Sequence, residues 1–133
     1  SLYMWRDFFP NAQIYGADFL PKTIFQTERI HTVLCDESKK EDLVKLMEHV
    51  GADVDVVIDD ASHRTKDQIF AACTLLPLLN KEVIYIVEDV TQSRNISQAL
   101  NAIGRYNYAV PPIYRKWKGG MILVIKNKDH GSQ

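Results

Sequence analysis

Four short apolar runs in this chain, each closed by acidic residues, leave few architectures open. They lie at 12–18, 30–35, 54–58 and 83–87. They close on Asp18, on Asp36 and Glu37, on Asp59 and Asp60, and on Glu88 and Asp89. The second run, Ile-His-Thr-Val-Leu-Cys, is rich in β-branched residues that suit a pleated surface. The third and fourth are continuously apolar, the pattern of strands covered on both faces. Helical spacing separates the later runs. Ser38 and Glu41 have the spacing of a capping box, and Leu43, Leu46, Met47 and Val50 share one face before the stop at Gly51. Residues 65–76 place Ile69, Cys73 and Leu76 on one face before Pro77, and 96–103 form another helix. An apolar helix over 2–9 stops at Pro10-Asn11, and Gly16 in the first run admits a close neighbour. Two final strands, 106–110 and 121–126, are joined through Pro111-Pro112 and a turn at Gly119-Gly120. Strands that alternate with helices form a mostly parallel sheet with helices on both faces, an α/β Rossmann-like fold.

Composition narrows the class. With 133 residues the chain forms a single domain, and its net charge of -1 points away from nucleic-acid binding. No apolar run approaches the roughly 20 residues that span a bilayer, so no membrane partner is expected. The first residues lack the layout of a signal peptide, and Cys35 and Cys73 sit unpaired in apolar segments, as reduced thiols do in a cytoplasmic protein. The oligomeric state stays open, a homo-oligomer included.

In open α/β sheets ligands bind beyond the carboxyl ends of the strands, where this chain keeps its acids. Carboxylates gathered on one rim repel each other unless a cation or ligand donors compensate. Two readings of Asp59 and Asp60 stand: helix caps and loop carboxylates facing water, or, with Glu88 and Asp89 in the matching place, oxygen ligands to a hard cation such as Mg2+. The pairing of the two acidic pairs favours the cation. His63, three residues after Asp60, is placed to accept a proton beside such a site, or is a surface histidine at a helix start. His31, His49 and His130 lack that context. Asp18 is either a turn residue or the acid that accepts bonds from ribose hydroxyls.

Three segments carry a resemblance: Ser-Leu-Tyr-Met-Trp-Arg-Asp-Phe-Phe-Pro-Asn-Ala-Gln-Ile-Tyr-Gly-Ala-Asp (1–18), Val-Ile-Asp-Asp-Ala-Ser-His (57–63) and Tyr-Ile-Val-Glu-Asp-Val (85–90). Together they resemble the metal-dependent sugar O-methyltransferases of macrolide biosynthesis, the mycinamicin and demethylmacrocin type, over most of the chain to about residue 90. The resemblance implies a class I methyltransferase fold, S-adenosylmethionine and Mg2+ as cofactors, and a small-molecule hydroxyl acceptor. It implies that Asp60, Glu88 and Asp89 bind Mg2+ and that His63 is the base. It implies that Asp18 holds the ribose of S-adenosylmethionine, with Asp36 near the adenine and Asp59 on the cofactor side of the site.

The chain departs from that pattern twice. Asn80-Lys81-Glu82 stands where relatives have a glycine pair. The family's first strand and its glycine-rich loop would precede Ser1, so the domain is expected to be incomplete, with a gap, a re-paired strand or a strand borrowed from a partner chain in its sheet, and weak or no binding of S-adenosylmethionine. Two other functions stay in view: a non-catalytic binding or scaffold domain of the same ancestry, and a receiver-like domain that takes a phosphoryl group on aspartate. Four successive strand ends carrying acids fit the receiver poorly. Tyr114, Arg115 and Trp117 are either ordinary loop anchors or the lining of an acceptor pocket.

Overall fold

The computed structural model describes residues 1–103, 106–109 and 121–127. The expected turn at Gly119-Gly120, the Pro111-Pro112 segment, the Tyr114, Arg115 and Trp117 group and His130 lie outside the described residues. The chain divides into two compact units, Ser1–Val50 and Gly51–Gln133.

The first unit contains α1 (Leu2–Phe8), β1 (Ile14–Asp18), β2 (Gln26–Thr27), β3 (Ile30–Leu34) and α2 (Lys40–Val50). Its sheet has the order β1-β3-β2. β1 and β3 run parallel, with Ile14 opposite Ile30 and Asp18 opposite Leu34, so both strands deliver their acidic ends to the same side of this sheet. Gly16 admits a close neighbour in β1: a Cβ there would come within 2.7 Å of Leu2 Cδ1 and 3.3 Å of Thr32 Cγ2, so the Leu2 side chain of α1 would have to shift. β2 pairs antiparallel with β3 through a two-residue turn at Glu28 and Arg29. Such turns need positive φ, normally supplied by Asn or Gly, and the sequence offers neither. Arg29 nevertheless takes φ 60°. Its Nη1 donates to the carbonyls of Arg6, Phe9 and Ala12 at 3.1, 3.1 and 3.2 Å. A cation thus satisfies carbonyls at and just beyond the C-terminus of α1, where the helix dipole favours it.

That clamp supports a stability prediction. Arg29→Ala should destabilise the chain by about 2 kcal/mol, the order expected for hydrogen bonds from a charged donor. Arg29→Gly, which takes φ 60° freely, should recover only a minor part of the loss. Denaturant unfolding of the two variants checks this; full recovery by glycine would assign the cost to backbone strain and not to the clamp.

The second unit contains β4 (Val56–Asp59), α3 (Thr65–Leu75), a 3-10 turn at Leu76–Leu78, β5 (Ile84–Val90), α4 (Ser93–Ile103), β6 (Tyr106–Ala109) and β7 (Met121–Asn127). The sheet order is β4-β5-β7-β6. β4 and β5 are parallel, with Val56 opposite Ile84 and Asp59 opposite Val87, while β7 runs antiparallel to both β5 and β6. Tyr85, Val87 and Val90 of β5, Leu123 and Ile125 of β7, Ala71, Ala72 and Leu75 of α3, and Ile96 and Leu100 of α4 are buried and form its core.

Several expectations change here. Among the described residues the sheets are mixed, with two parallel ladders and three antiparallel ones, because a short hairpin and the β6–β7 pair turn the chain back on itself. β4 is an edge strand whose Val56 is exposed, not one covered on both faces. β5 does not stop before its acids; it continues through Glu88 and Asp89 to Val90. The capping box does not form as expected. The Ser38 hydroxyl donates to Asp36 Oδ1 at 2.6 Å, and Asp42, one residue later than expected, reaches back to the Asp36 N–H at 2.9 Å. On α3 the buried stripe is Gln68, Ala71, Ala72 and Leu75, with Ile69 and Cys73 half-buried.

Both cysteines are free thiols. Burial, followed by the charges of Asp42, Asp36 and Glu37, pushes Cys35 up to about 11, so it stays a protonated core residue at neutral pH. Among the described residues, no helix is long and apolar enough to cross a membrane.

Candidate active site

Among the described residues, the second unit carries a close group of acidic and imidazole side chains. Parallel pairing ends with Asp59 opposite Val87; the chain leaves the sheet at Asp60, while β5 runs on through Glu88 and Asp89 to Val90. Asp59 points inward and is buried, with the Ala61 N–H at 3.4 Å from its Oδ1. Asp60 is exposed, and the chain then turns through Ala61 and Ser62 to His63. His63 has φ 59°. On the neighbouring strand, register slips between Val87 and Val90, and Asp89 in that bulge has φ 51°. These two residues and Arg29 are the positive-φ residues other than glycine among those described. A left-handed backbone at a side chain with a Cβ costs about 1–3 kcal/mol and persists where surrounding contacts over-determine it, often at functional sites.

The two strained turns aim three side chains at one point. His63 Nε2 lies 3.8 Å from Asp60 Oδ1 and 3.7 Å from Asp89 Oδ2. One ligand atom from each of Asp60, His63 and Asp89 lies within 4.8 Å of the others, and all three residues are exposed. Glu88 is beside this group but not in it. Burial first, then the charges of Asp60 and Asp89, raise its carboxyl above the usual glutamate range, and His63 pulls it partly back. The structure therefore brings together Asp60, Asp89 and His63, and leaves Glu88 as a neighbouring acid that is costly to ionise. Two carboxylates with a third close by form an oxygen donor set that suits a hard divalent cation, with an imidazole beside it.

The two residues that hold these turns are not among the candidates read from the sequence. Asp67, 3% exposed, accepts from the Ser62 hydroxyl at 2.8 Å and from Arg64 Nε at 2.6 Å. Gln68, 1% exposed, donates its Nε2 to the Glu88 carbonyl at 3.0 Å. A usable signal existed: Gln68 stands at i, i+3, i+4 and i+7 spacing with Ala71, Ala72 and Leu75, where an apolar residue is the rule.

In the first unit, Asp18 ends β1 and accepts the Leu20 N–H at 2.9 Å. Asp36 accepts the Ser38 N–H at 3.0 Å as well as its hydroxyl, and Lys39 Nζ lies 3.4 Å from its second oxygen. The Ser38 bonds, with a smaller contribution from Lys39, hold Asp36 below the usual aspartate range. Much of its bonding capacity is thus spent on the turn into α2. His31 is held between Gln13 and Gln26, each 2.9 Å from a ring nitrogen, and stacks on Tyr15; His49 meets the same tyrosine edge-on. Both histidines are built into structure.

No protein-family model matches the chain. Similarity to individual proteins is clear. The chain is 39% identical over 93 residues to the 8-demethyl-8-alpha-L-rhamnosyl tetracenomycin-C 2'-O-methyltransferase of Streptomyces olivaceus, a match covering 70% of this chain and 24% of that protein. It is 36% identical over 90 residues to the mycinamicin VI 2''-O-methyltransferase of Micromonospora griseorubida, covering 68% of this chain and 22% of the relative. The chain thus spans about a quarter of the length of the curated relatives it matches. Among solved structures, the MycE methyltransferase of the mycinamycin biosynthetic pathway, in complex with Mg and SAH, superposes with a TM-score of 0.76 at 23% identity, over 99% of this chain and 41% of that one. The shared fold is the α/β fold of class I methyltransferases.

Proposed function

From the kinship of this chain with the sugar O-methyltransferases, which reaches 39% identity, we propose that it is part of an S-adenosylmethionine-dependent, Mg2+-assisted O-methyltransferase acting on a hydroxyl of a sugar or similar small molecule. The two units are parts of one methyltransferase domain, a reading supported by a structural match that extends over 99% of the chain. The observation that carries the function is the convergence of Asp60, Asp89 and His63 at the carboxyl ends of two parallel strands.

Asp60 and Asp89 would hold the cation, with Glu88 beside them as a further carboxylate, its carboxyl raised by burial and then by the charges of Asp60 and Asp89, a repulsion that a bound positive charge would offset. A bound Mg2+ supplies Lewis-acid polarisation of a coordinated oxygen. His63 accepts the proton of the acceptor hydroxyl, an imidazole being a base matched to near-neutral pH. The acceptor oxygen forms its bond to the methyl carbon as the methyl–sulfur bond breaks, leaving a methyl ether and S-adenosylhomocysteine. Asp60 and Asp89, held by the turns that carry them, orient His63 in that step. Asp18 is assigned to the cofactor ribose, Asp36 to its adenine side through the loop it braces, and Asp59 to the cofactor side.

The test uses the full-length protein, a rhamnosyl acceptor and labelled S-adenosylmethionine. Methyl ether should form, stop when the protein is stripped with EDTA, and return on adding Mg2+ or Mn2+. Methyl transfer that proceeds unchanged through chelation would overturn the metal assignment.

A further inference from the structure

The two turns that carry the site are separated by about thirty residues of sequence but are tied to adjacent positions on one helix. Asp67 and Gln68 open α3 side by side, and both are buried. Asp67 takes the Ser62 hydroxyl and Arg64 Nε, which bracket His63. Gln68 gives its amide to the Glu88 carbonyl, which precedes Asp89. That carbonyl lies in the bulge, where the ladder from β5 to β7 slips, and Gln68 supplies the donor there. We propose that Asp67 and Gln68 are positioning residues that set the spacing between the Asp60–His63 turn and the Glu88–Asp89 bulge, and with it the affinity of the site for a divalent cation. This rests on the metal reading given above.

The chemistry of Gln68 supports the assignment. Its Oε1 is buried with no hydrogen-bond partner among the described residues. A buried acceptor left in this state costs stability, and a leucine or methionine would fill the same space without that cost. The amide is useful here for its donor, which goes to the bulge. The orientation is fixed, because turning the amide over would set oxygen against the Glu88 carbonyl. Asp67 works in the same sense: a nearly buried carboxylate accepts two bonds from residues on either side of His63, whose φ of 59° needs such restraint. Both partners therefore act through the backbone and neighbours of the acidic group, not by touching a ligand.

The experiment compares Gln68→Met with Leu75→Val, a core change on the same helix away from both turns, using Mn2+ as the probe. Gln68→Met should lose at least tenfold in Mn2+ affinity, the range for residues that orient metal ligands, while Leu75→Val retains it. In 15N spectra the backbone amides of His63 and Asp89 should shift in Gln68→Met and stay in place in Leu75→Val. Unchanged affinity in Gln68→Met, or an equal loss in Leu75→Val, overturns the proposal. If the unsubstituted chain binds no Mn2+, the metal reading fails, and the spectra alone decide whether Gln68 positions the two turns. Should Gln68→Met fail to fold, Gln68→Glu, which keeps the length but sets a carboxylate against the Glu88 carbonyl, carries the same comparison.

Discussion

Replacing His63 with alanine in the full-length protein should lower methyl transfer by about a hundredfold or more, within the range attributed to a positioned general base. Affinity for S-adenosylmethionine should change little. Two features separate this result from a loss of folding. His63 sits at φ 59°, where any residue with a Cβ is strained. His63→Gly accepts that backbone without strain and should lose the same activity, although it should fold at least as well locally. The pH profile gives the second readout: the limb assigned to deprotonation of the base should flatten in both variants. Asp60 and Asp89 lie 3.8 and 3.7 Å from the ring, so removing the imidazole also removes the group standing between two carboxylates. Near-normal turnover in both variants across the pH range would make His63 a structural residue and move the base elsewhere.

Glu88→Gln should have opposite effects with and without metal. The folded chain raises the carboxyl of Glu88 above its ordinary range, through burial and the charges of Asp60 and Asp89. A group with a raised folded pKa stabilises the fold fully below its unfolded pKa and loses that contribution as pH rises through the folded value. At neutral pH without metal, ionised Glu88 therefore works against folding, and the neutral amide should raise the melting temperature. The benefit should vanish at pH values below the ordinary glutamate range, where both proteins are uncharged at this position. With Mn2+ the order reverses. A ligand that binds only the folded state stabilises by about 2.7 kcal/mol at one hundred times its Kd, and the variant, with one carboxylate fewer, should show little of that gain. Melting curves at two pH values, with and without Mn2+, check all four conditions. A variant that is stabilised by Mn2+ as strongly as the original would remove Glu88 from the cation site.

The sequence by itself determined the element order and the position of the acids. Continuous apolar runs, helical spacing and the stops at Pro10, Gly51 and Pro77 are local signals, and the helices and longer strands appear where those signals lie. Gly16 is another such case, since a residue without a Cβ lets the Leu2 side chain lie close on the strand. The likeness to sugar O-methyltransferases was also legible, because Asp-Asp-Ala-Ser-His followed by Glu-Asp is contiguous enough to recognise.

Tertiary structure decided the rest. The β2–β3 hairpin was hidden because its turn residue, Arg29, owes its positive φ to carbonyls 17 to 23 residues away in sequence. The continuation of β5 through Glu88 and Asp89 depends on pairing with β7, a strand whose register no local pattern specifies. Which acid would point at His63 was likewise unreadable: adjacent residues on a strand face opposite ways, so a bulge of one residue changes which carboxylate faces the site. Here Asp89 joins Asp60 and His63 while Glu88 stands beside them. Gln68 escaped notice for the same reason, since its amide belongs in a buried stripe only because a distant carbonyl needs a donor there. Local order is written in neighbouring residues, whereas a site is made from contacts between segments far apart in the chain, and those form only when the whole core packs.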